Sequence, residues 1–404
     1  MTSRPALFFI ALLLLLSLAL RSPILLLLGS LLALVAGASA LWGRYCLAGV
    51  SYDRRFSAQR LFCGEGADLW VEIANAKPLP LAWLKAEDEF PEELEVQNIR
   101  LSYASTPHRL LLTSLFAMNL YERIRRRYRL TTSRRGAFDF GPVLLSSGDL
   151  FGFQTRYANL DHRHTLLVYP KLVALDALGL QAARPPGDLR ARRRVIADPL
   201  RLAGARDYQP GEDIRHIHWK ATARRGSLQT KIFDPGASQH LVIFLNNQTR
   251  AHHFEGVIDD YFETAAVAAA AVARESLDAR HAVGLFTNGA VRGSQKRARI
   301  PASRRADQLT RILEALAQLT YFSNISFDAL LQTETSGLPL GAAVVAVSTV
   351  VTGPILSALL DLRAGGHPVA LVVIGPPPAE ALPPDLPVYF VTKNWTEMAS
   401  IENN

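Results

Sequence analysis

The chain has 404 residues, a formal net charge of +8 and 49% hydrophobic residues, which allows two or three domains with buried cores. Its two cysteines, Cys46 and Cys63, exclude a disulfide framework and a cysteine-ligated metal site. The positive charge suits anionic lipids and nucleic acid equally, so its sign alone does not choose between them.

Two uncharged apolar stretches open the chain, at residues 6–20 and 24–42. The second stretch meets the roughly 17–25 residues that a helix needs to cross a bilayer, the first is slightly short, and Pro23 breaks the helix between them. The pattern predicts a transmembrane helical hairpin over residues 1–43. The alternative is a signal peptide cleaved after residues 38–40, but its apolar region would exceed the usual ~7–15 residues.

Arginines are distributed unevenly around these stretches. Only Arg21 lies between them, whereas four arginines follow the second one: Arg44, Arg54, Arg55 and Arg60. By the positive-inside rule we expect two spans in the inner (cytoplasmic) membrane, with all soluble domains in the cytoplasm.

Residues 44–160 carry the pattern of a β-sandwich domain. Leu69, Val71 and Ile73 alternate with polar neighbours, and Gly and Pro separate further short apolar runs. Residues 123–130 place four arginines on one face of a strand and Ile124, Tyr128 and Leu130 on the other: Arg123, Arg125, Arg127 and Arg129. This face is predicted to be solvated, with contact to lipid headgroups as the functional alternative.

Residues 161–235 have little periodicity and are predicted to form a connector, in which residues 183–194 are an exposed linker rich in Pro, Gly and Arg. Residues 236–404 differ, because short apolar runs at 241–245, 283–286, 343–347 and 369–374 are typical of strands buried on both faces. Helical periodicity lies between these runs, and a last strand is expected at 387–391. The alternation predicts a doubly wound α/β domain.

The end of the connector, residues 206–236, is dense in charged, aromatic and glycine residues, with Trp219 as a large anchor among them. It resembles the hallmark of the domain of unknown function fifty-eight family, approximately R-x-Y-x-x-G-D-x-x-R-x-I-x-W-x-x-x-A-R. This sequence departs from that pattern at His218, where the family usually has Asp. The hallmark and interaction residues that we assign on this resemblance are Arg206, Tyr208, Gly211, Asp213, Arg215, Trp219, Lys220 and Arg224.

Two further blocks, residues 134–153 and 168–170, also match the family, so the resemblance covers nearly the whole chain. It implies a von Willebrand factor A-like C-terminal domain and action with a MoxR-type AAA+ ATPase in assembling or activating other proteins. It implies no enzymatic activity. The alternative for the hallmark is that it only joins the connector to the α/β domain.

The resemblance also implies where a cation would bind. A von Willebrand A domain holds a divalent cation through D-x-S-x-S after its first strand, and the corresponding positions here are Asn246, Gln248 and Arg250. The carboxylate is missing, and Arg250 would repel a cation. We therefore expect a degenerate site with no metal ion and no cofactor.

The sequence carries few other signals of metal binding, nucleotide binding or catalysis. His162 with His164 and His216 with His218 have strand spacing for chelation but lack a third ligand. No P-loop, G-x-S-x-G or dinucleotide fingerprint occurs, and the arginine-rich linker lacks the interleaved aromatic residues of a nucleic-acid site. No catalytic residue is assigned, and Ser348 is the one tempting nucleophile at a strand end.

The resulting hypothesis is a membrane-tethered, non-enzymatic interaction or scaffold protein. Its expected partners are the lipid bilayer, an AAA+ ATPase and the protein client of that ATPase, with no nucleic acid. The alternatives are an envelope scaffold that binds lipid or polysaccharide, and a hydrolase built on the α/β domain.

Overall fold

The computed structural model describes residues 4–99, 101–149, 154–182, 202–208, 217–233, 240–250, 255–294, 296–339 and 341–400. The chain divides into two compact units, Met1–Val168 and Tyr169–Asn404. The domain boundaries drawn from the sequence at residues 43, 160 and 235 stay predictions, and the linker at 183–194 lies outside the described residues.

The first unit begins with helices α1 (Arg4–Ala19) and α2 (Pro23–Tyr45). Gly29 of α2 faces α1 so closely that an added Cβ would lie 2.7 Å from a methyl carbon of Leu14. Helix α2 is long and apolar enough to cross a membrane, whereas the described apolar part of α1, Phe8–Ala19, is shorter. One N-terminal helix thus meets the requirements of a membrane span, and the pair of spans stays a prediction.

Twelve strands follow in the described part of the first unit. They are β1 (Val50–Phe56), β2 (Arg60–Phe62), β3 (Gly66–Asn75), β4 (Leu81–Pro91), β5 (Leu94–Val96), β6 (Ser102–Tyr103), β7 (Arg109–Met118), β8 (Arg123–Thr132), β9 (Gly136–Phe140), β10 (Val143–Gly148), β11 (Thr155–Leu160) and β12 (His164–Tyr169). They form sheets of order β1-β3-β8-β5, β11-β10-β4-β7-β6 and β2-β12-β9. Side chains from all three sheets, among them Leu69, Phe90 and Phe140, share one hydrophobic core.

The alternation predicted for β3 and β8 is confirmed. Leu69, Val71 and Ile73 are buried, as are Tyr128 and Leu130, and Ile124 and Arg126 on the same face of β8 are half-buried. The other four arginines of β8 are exposed. These arginines pair across to β3: Arg127 and Arg129 contact Asp68 at 2.7 and 3.3 Å, Arg123 contacts Glu72 at 3.1 Å, and Arg125 lies over the Trp70 ring. The arginine face is therefore an ion-paired surface.

The second unit alternates strands with helices. Its described elements, besides two short 3-10 turns, are β13 (Gln181–Ala182), β14 (Leu202–Asp207), α3 (Trp219–Arg225), β15 (Gln229–Phe233), β16 (His240–Leu245), α4 (Asp259–Asp278), β17 (Ala282–Val291), β18 (Arg297–Ser303), α5 (Gln308–Gln318), β19 (Leu319–Ser323), α6 (Phe327–Thr335), β20 (Ala343–Ser348), α7 (Gly353–Ala364), β21 (Val369–Ile374) and β22 (Val388–Val391).

The main sheet of this unit has the order β13-β22-β21-β20-β16-β17-β18, with β19 also paired to β17. The five central strands β22, β21, β20, β16 and β17 are parallel to one another. The edge strands β13 and β18 pair antiparallel with β22 and β17. The four predicted apolar runs are β16, β17, β20 and β21, and they are almost wholly buried. Helices α6 and α7 pack on the face that carries Val242 and Phe244.

Candidate functional site

Strand β16 lies where the chain order of the main sheet reverses. The chain continues from β16 through α4 to β17 on one side, while β20 and β21 are added on the other side. In open α/β sheets, ligands bind outside the carboxyl ends of the strands at such a reversal. The carboxyl edge of β16, β17 and β20 is therefore the candidate functional site.

A cluster of neutral polar side chains fills this edge. Asn246 follows β16, Asn288 lies on β17 and Ser348 ends β20, and all three are buried. The Asn246 amide nitrogen donates to Ser348 Oγ at 2.9 Å, and its amide oxygen accepts from Asn288 Nδ2 at 3.0 Å and from the Gln248 N–H at 3.1 Å. We call Asn246, Asn247, Asn288 and Ser348 the edge cluster.

The edge cluster also fixes the neighbouring loops. Asn247 donates its backbone N–H to Asn288 Oδ1 at 2.8 Å and its side-chain amide to the Thr320 carbonyl oxygen at 2.6 Å. Thr349 donates its hydroxyl to the Gln248 carbonyl oxygen at 2.6 Å, which connects the loops after β20 and β16. Most of these groups are satisfied by one another, which gives the edge a defined shape, but the buried Asn247 Oδ1 has no hydrogen-bond partner among the described residues.

The positions expected to form a degenerate cation site lie in different surroundings. Asn246 is buried, Gln248 is half-buried and Arg250 is exposed. The Asn246 oxygen already accepts two N–H groups, and across the described residues no three His, Cys, Asp or Glu side chains are grouped to hold a metal ion. The expectation that this edge binds no divalent cation stays a prediction.

Ser348 is not arranged as a nucleophile. Its hydroxyl donates to the Val350 carbonyl oxygen at 2.5 Å and accepts from Asn246, and the side chain is fully buried. An activated serine needs a base that takes its proton, and here a backbone carbonyl occupies that direction. Ser348 instead joins the loops after β16 and β20.

Two aromatic side chains stand beside the edge cluster. Phe322 is 77% exposed and Tyr321 is 46% exposed, and the Tyr321 ring packs against Phe262 with centroids 4.9 Å apart. Asn247 holds the carbonyl groups of Thr320 and Phe322, so the exposed pair is positioned by the buried amides. This pair was not predicted from the sequence, although adjacent strand residues face opposite sides and two adjacent aromatics therefore rarely bury together.

The hallmark segment is described in part. Strands β14 and β15 pair, and Arg206 stands opposite Thr230 in their register. Tyr208 is half-buried, and its N–H donates to the Leu228 carbonyl oxygen at 2.9 Å. Gly211, Asp213 and Arg215 lie outside the described residues.

Helix α3 follows directly from the hallmark. His218 accepts the N–H of Ala221 at 3.1 Å and so caps the helix, a role that Asp at this position would also fill. The amide of Gln229, which is buried, donates to Asp207 and accepts from Arg225. These contacts join α3, β14 and β15 into one small element.

The prediction that Trp219 is a large anchor among charged side chains is wrong. Trp219 is 64% exposed, and Lys220 and Arg224 are also exposed. The reason is local, because Trp219 is the first residue of a short helix and the described buried positions of this element are Ile217, Gln229 and Thr230. Trp219, Lys220 and Arg224 thus lie on an exposed helical surface.

Residues 204–404 match the family described as Protein of unknown function DUF58. The matched DUF58 region contains the hallmark element, the edge cluster and the whole main sheet after β13. The protein YeaD of Bacillus subtilis (strain 168), described as uncharacterized, is 27% identical over 213 residues, which are 53% of this chain and 51% of YeaD. The chain therefore spans about half the length of that relative.

Solved structures give only distant likenesses. A cohesin module from Clostridium perfringens has 12% identity and a TM-score of 0.19, and covers 29% of this chain and 96% of that module. A non-cellulosomal cohesin from Archaeoglobus fulgidus has 12% identity and a TM-score of 0.20, and covers 30% of this chain and 91% of the cohesin. Likeness at these scores does not establish a shared fold.

Proposed function

We propose that this protein is a membrane-tethered, non-enzymatic interaction protein whose second unit binds a protein partner at the carboxyl edge of the main sheet. The observation that carries the proposal is Phe322, which is 77% exposed and is positioned by the buried amide of Asn247 at the strand-order reversal. Aromatic side chains are enriched at protein–protein interfaces, and a few residues that the partner buries supply most of the binding free energy.

The chemistry of the edge supports a protein rather than a small charged ligand. The buried groups are neutral and most of them are bonded to one another, and the one acceptor without a partner, Asn247 Oδ1, is a single neutral oxygen, so the edge offers little to a phosphate or a metal ion. Arg250, which is exposed, supplies one cation that would meet a partner carboxylate directly. The aromatic pair and this arginine together fit an apolar protein surface with an acidic residue at its margin.

The partner that we propose is a MoxR-type AAA+ ATPase, acting with the second unit as a von Willebrand factor A-like domain. This part of the proposal rests on the family resemblance and on the strand order of the main sheet. The proposal also includes two N-terminal spans and cytoplasmic soluble domains, supported by the arginine asymmetry and by the apolar helix α2.

The test is site-specific crosslinking in native membranes. A photoreactive amino acid at Phe322 is expected to give a crosslinked product that mass spectrometry identifies as an AAA+ ATPase. The matched control is the same amino acid at Leu360, an apolar residue in the C-terminal half of α7 that is 37% exposed. Equal products at both positions, or none at Phe322, would contradict the proposed docking site.

A further inference from the structure

The C-terminal turns of α2 are built into the strand-rich part of the first unit. Ser39 donates its hydroxyl to the Asp149 carboxylate at 2.6 Å, and Gly43 lies against Gln154, where an added Cβ would be 2.7 Å from the amide oxygen. Cys46, just after the helix, is fully buried in the hydrophobic core, and Lys77 donates to its carbonyl oxygen at 2.8 Å. The helix is therefore joined to the strands without a flexible linker.

The turn between β7 and β8, residues 119–122, connects two sheets and lies at the same end of the unit. Lys77 holds the end of α2, and its own carbonyl oxygen accepts the N–H of Tyr121 at 3.3 Å. Asn75 donates its side-chain amide to the Asn119 carbonyl oxygen at 2.8 Å. These contacts fix residues 119–122 beside the point where the helix enters the unit.

This turn is unusual in its composition and its backbone. Leu120 is 54% exposed and Tyr121 is 68% exposed, at a position where turns normally carry polar residues. Tyr121 has a φ of 52°, in the left-handed region that bulky side chains rarely adopt. Leu120 and Tyr121 thus form a small exposed apolar pair at a turn whose backbone is unusual for a tyrosine.

The length of α2 indicates what Leu120 and Tyr121 contact. From Pro23 to the first residue docked on the strands, Ser39, the helix rises about 24 Å, somewhat less than the ~30 Å hydrocarbon core of a bilayer. A helix that spans the membrane with this segment brings the docked end of the unit to the lipid headgroups. Tyrosine is also a residue type enriched at that depth, since its ring is apolar and its hydroxyl is polar.

We propose that this end of the first unit lies on the bilayer, with Leu120 and Tyr121 inserted among the lipid headgroups beside α2. The inference rests on the membrane anchorage in the proposed function and adds a second, peripheral contact that the sequence pattern did not indicate. The strand-rich part of the unit is then held at a fixed orientation to the membrane, because α2 and the turn at residues 119–122 both contact the bilayer.

The experiment uses the full chain with Cys63→Ser, reconstituted in vesicles of phosphatidylcholine and phosphatidylglycerol that contain a doxyl-labelled lipid. Cys46 is fully buried and stays in place. A polarity-sensitive fluorophore is attached in turn through Leu27→Cys on α2, Tyr121→Cys between β7 and β8, and Tyr103→Cys. Tyr103 is the matched control, because it is 82% exposed and pairs with Leu110 at the other end of β7.

The expected result is a blue-shifted emission and several-fold stronger lipid quenching for the labels at 27 and 121 than for the label at 103. If the label at 27 is quenched and the label at 121 behaves like that at 103, the proposed surface is wrong and the membrane anchor stands. If the label at 27 is not quenched either, the anchor fails and the surface fails with it.

Discussion

In the first unit the central buried polar groups carry charge, whereas those of the second unit's edge cluster are neutral. Arg54 and Asp88 form an ion pair at 3.0 Å in the core between the sheets, and Tyr52 donates to the same carboxylate at 2.6 Å. The edge cluster of the second unit uses three amides and a hydroxyl, and it lies at the carboxyl edge of a sheet.

The difference separates a structural site from a recognition site. Removal of one partner from a buried ion pair leaves an uncompensated charge and strongly destabilises the fold, so such a pair suits a structural core. A neutral cluster leaves the edge without a strong electrostatic preference, so recognition falls to the exposed side chains around it, Phe322 and Arg250. Four predictions test this contrast.

The largest expected effect follows from Arg54→Leu. The change leaves the Asp88 carboxylate buried without its cation, and breaking such a pair lowers the free energy of unfolding by about 3–5 kcal/mol at about pH 8. Pulsed hydrogen exchange during a denaturant titration of the full chain, with peptides from β1 and β4 resolved by mass spectrometry, measures this loss in the first unit.

The pH dependence sharpens this prediction. Burial raises the pKa of Asp88 from 3.8 to about 6, although Arg54 lowers it, so the native state binds the proton more tightly than the unfolded chain. This contribution to stability is present below the unfolded pKa and is lost as pH rises through about 6. Without Arg54 the pKa rises further, so the variant should lose less stability at about pH 5 than at about pH 8.

The matched control is Arg55→Leu, whose ion pair with Asp53 at 2.9 Å is exposed. Its unfolding midpoint should stay near that of the wild type at both pH values, because solvent screens exposed pairs. Equal effects of the two arginine substitutions would mean that the buried pair has no special role.

Asn288→Ala tests the edge cluster. It removes the acceptor of the Asn247 N–H and a donor to Asn246, so one buried donor is left without a partner, at a cost of about 1–3 kcal/mol. Hydrogen exchange in peptides of β16 and β17 reports the loss. The exposed amide Gln332 on α6 is the control, and its change to Ala should stay within about 0.5 kcal/mol.

A smaller effect is expected from Trp219→Ala. A buried tryptophan would cost about 3–5 kcal/mol, but Trp219 is 64% exposed, so the free energy of unfolding should change by no more than about 0.5 kcal/mol. If the variant also stops binding its partner, the hallmark helix is a docking surface. A large loss of stability would instead mean that Trp219 is covered in the working protein.

Regular patterns were predictable from the sequence. The alternation in β8, which Arg126 interrupts, and the apolar runs of β16, β17, β20 and β21 follow directly from which faces are buried, and both were confirmed. Burial within a short charged motif was not predictable. Ile217 and Trp219 are both large and apolar, and their burial depends on the position of each relative to the start of α3.

The edge cluster shows the other limit. Asn246 was recognised as a position of interest, but its partners Asn288 and Ser348 lie 42 and 102 residues away in the sequence. Lone polar residues at strand ends carry no spacing signal that links them, so only the sheet order brings them together. The same holds for the Arg54–Asp88 pair, whose strands β1 and β4 belong to different sheets.

The smallest expected effect is the absence of a response to magnesium. A hard cation needs several oxygen ligands, mostly carboxylates, and the Asn246 oxygen is neutral and already accepts two N–H groups. Arg250, which is always charged, would repel the ion at close range. Titration calorimetry of the full chain with Mg²⁺ should therefore give no saturable heat, and crosslinking through position 322 should be the same with and without EDTA. Saturable binding at micromolar Mg²⁺ that disappears in Asn246→Ala, or a crosslink that EDTA abolishes, would show that the neutral edge cluster recruits a cation after all.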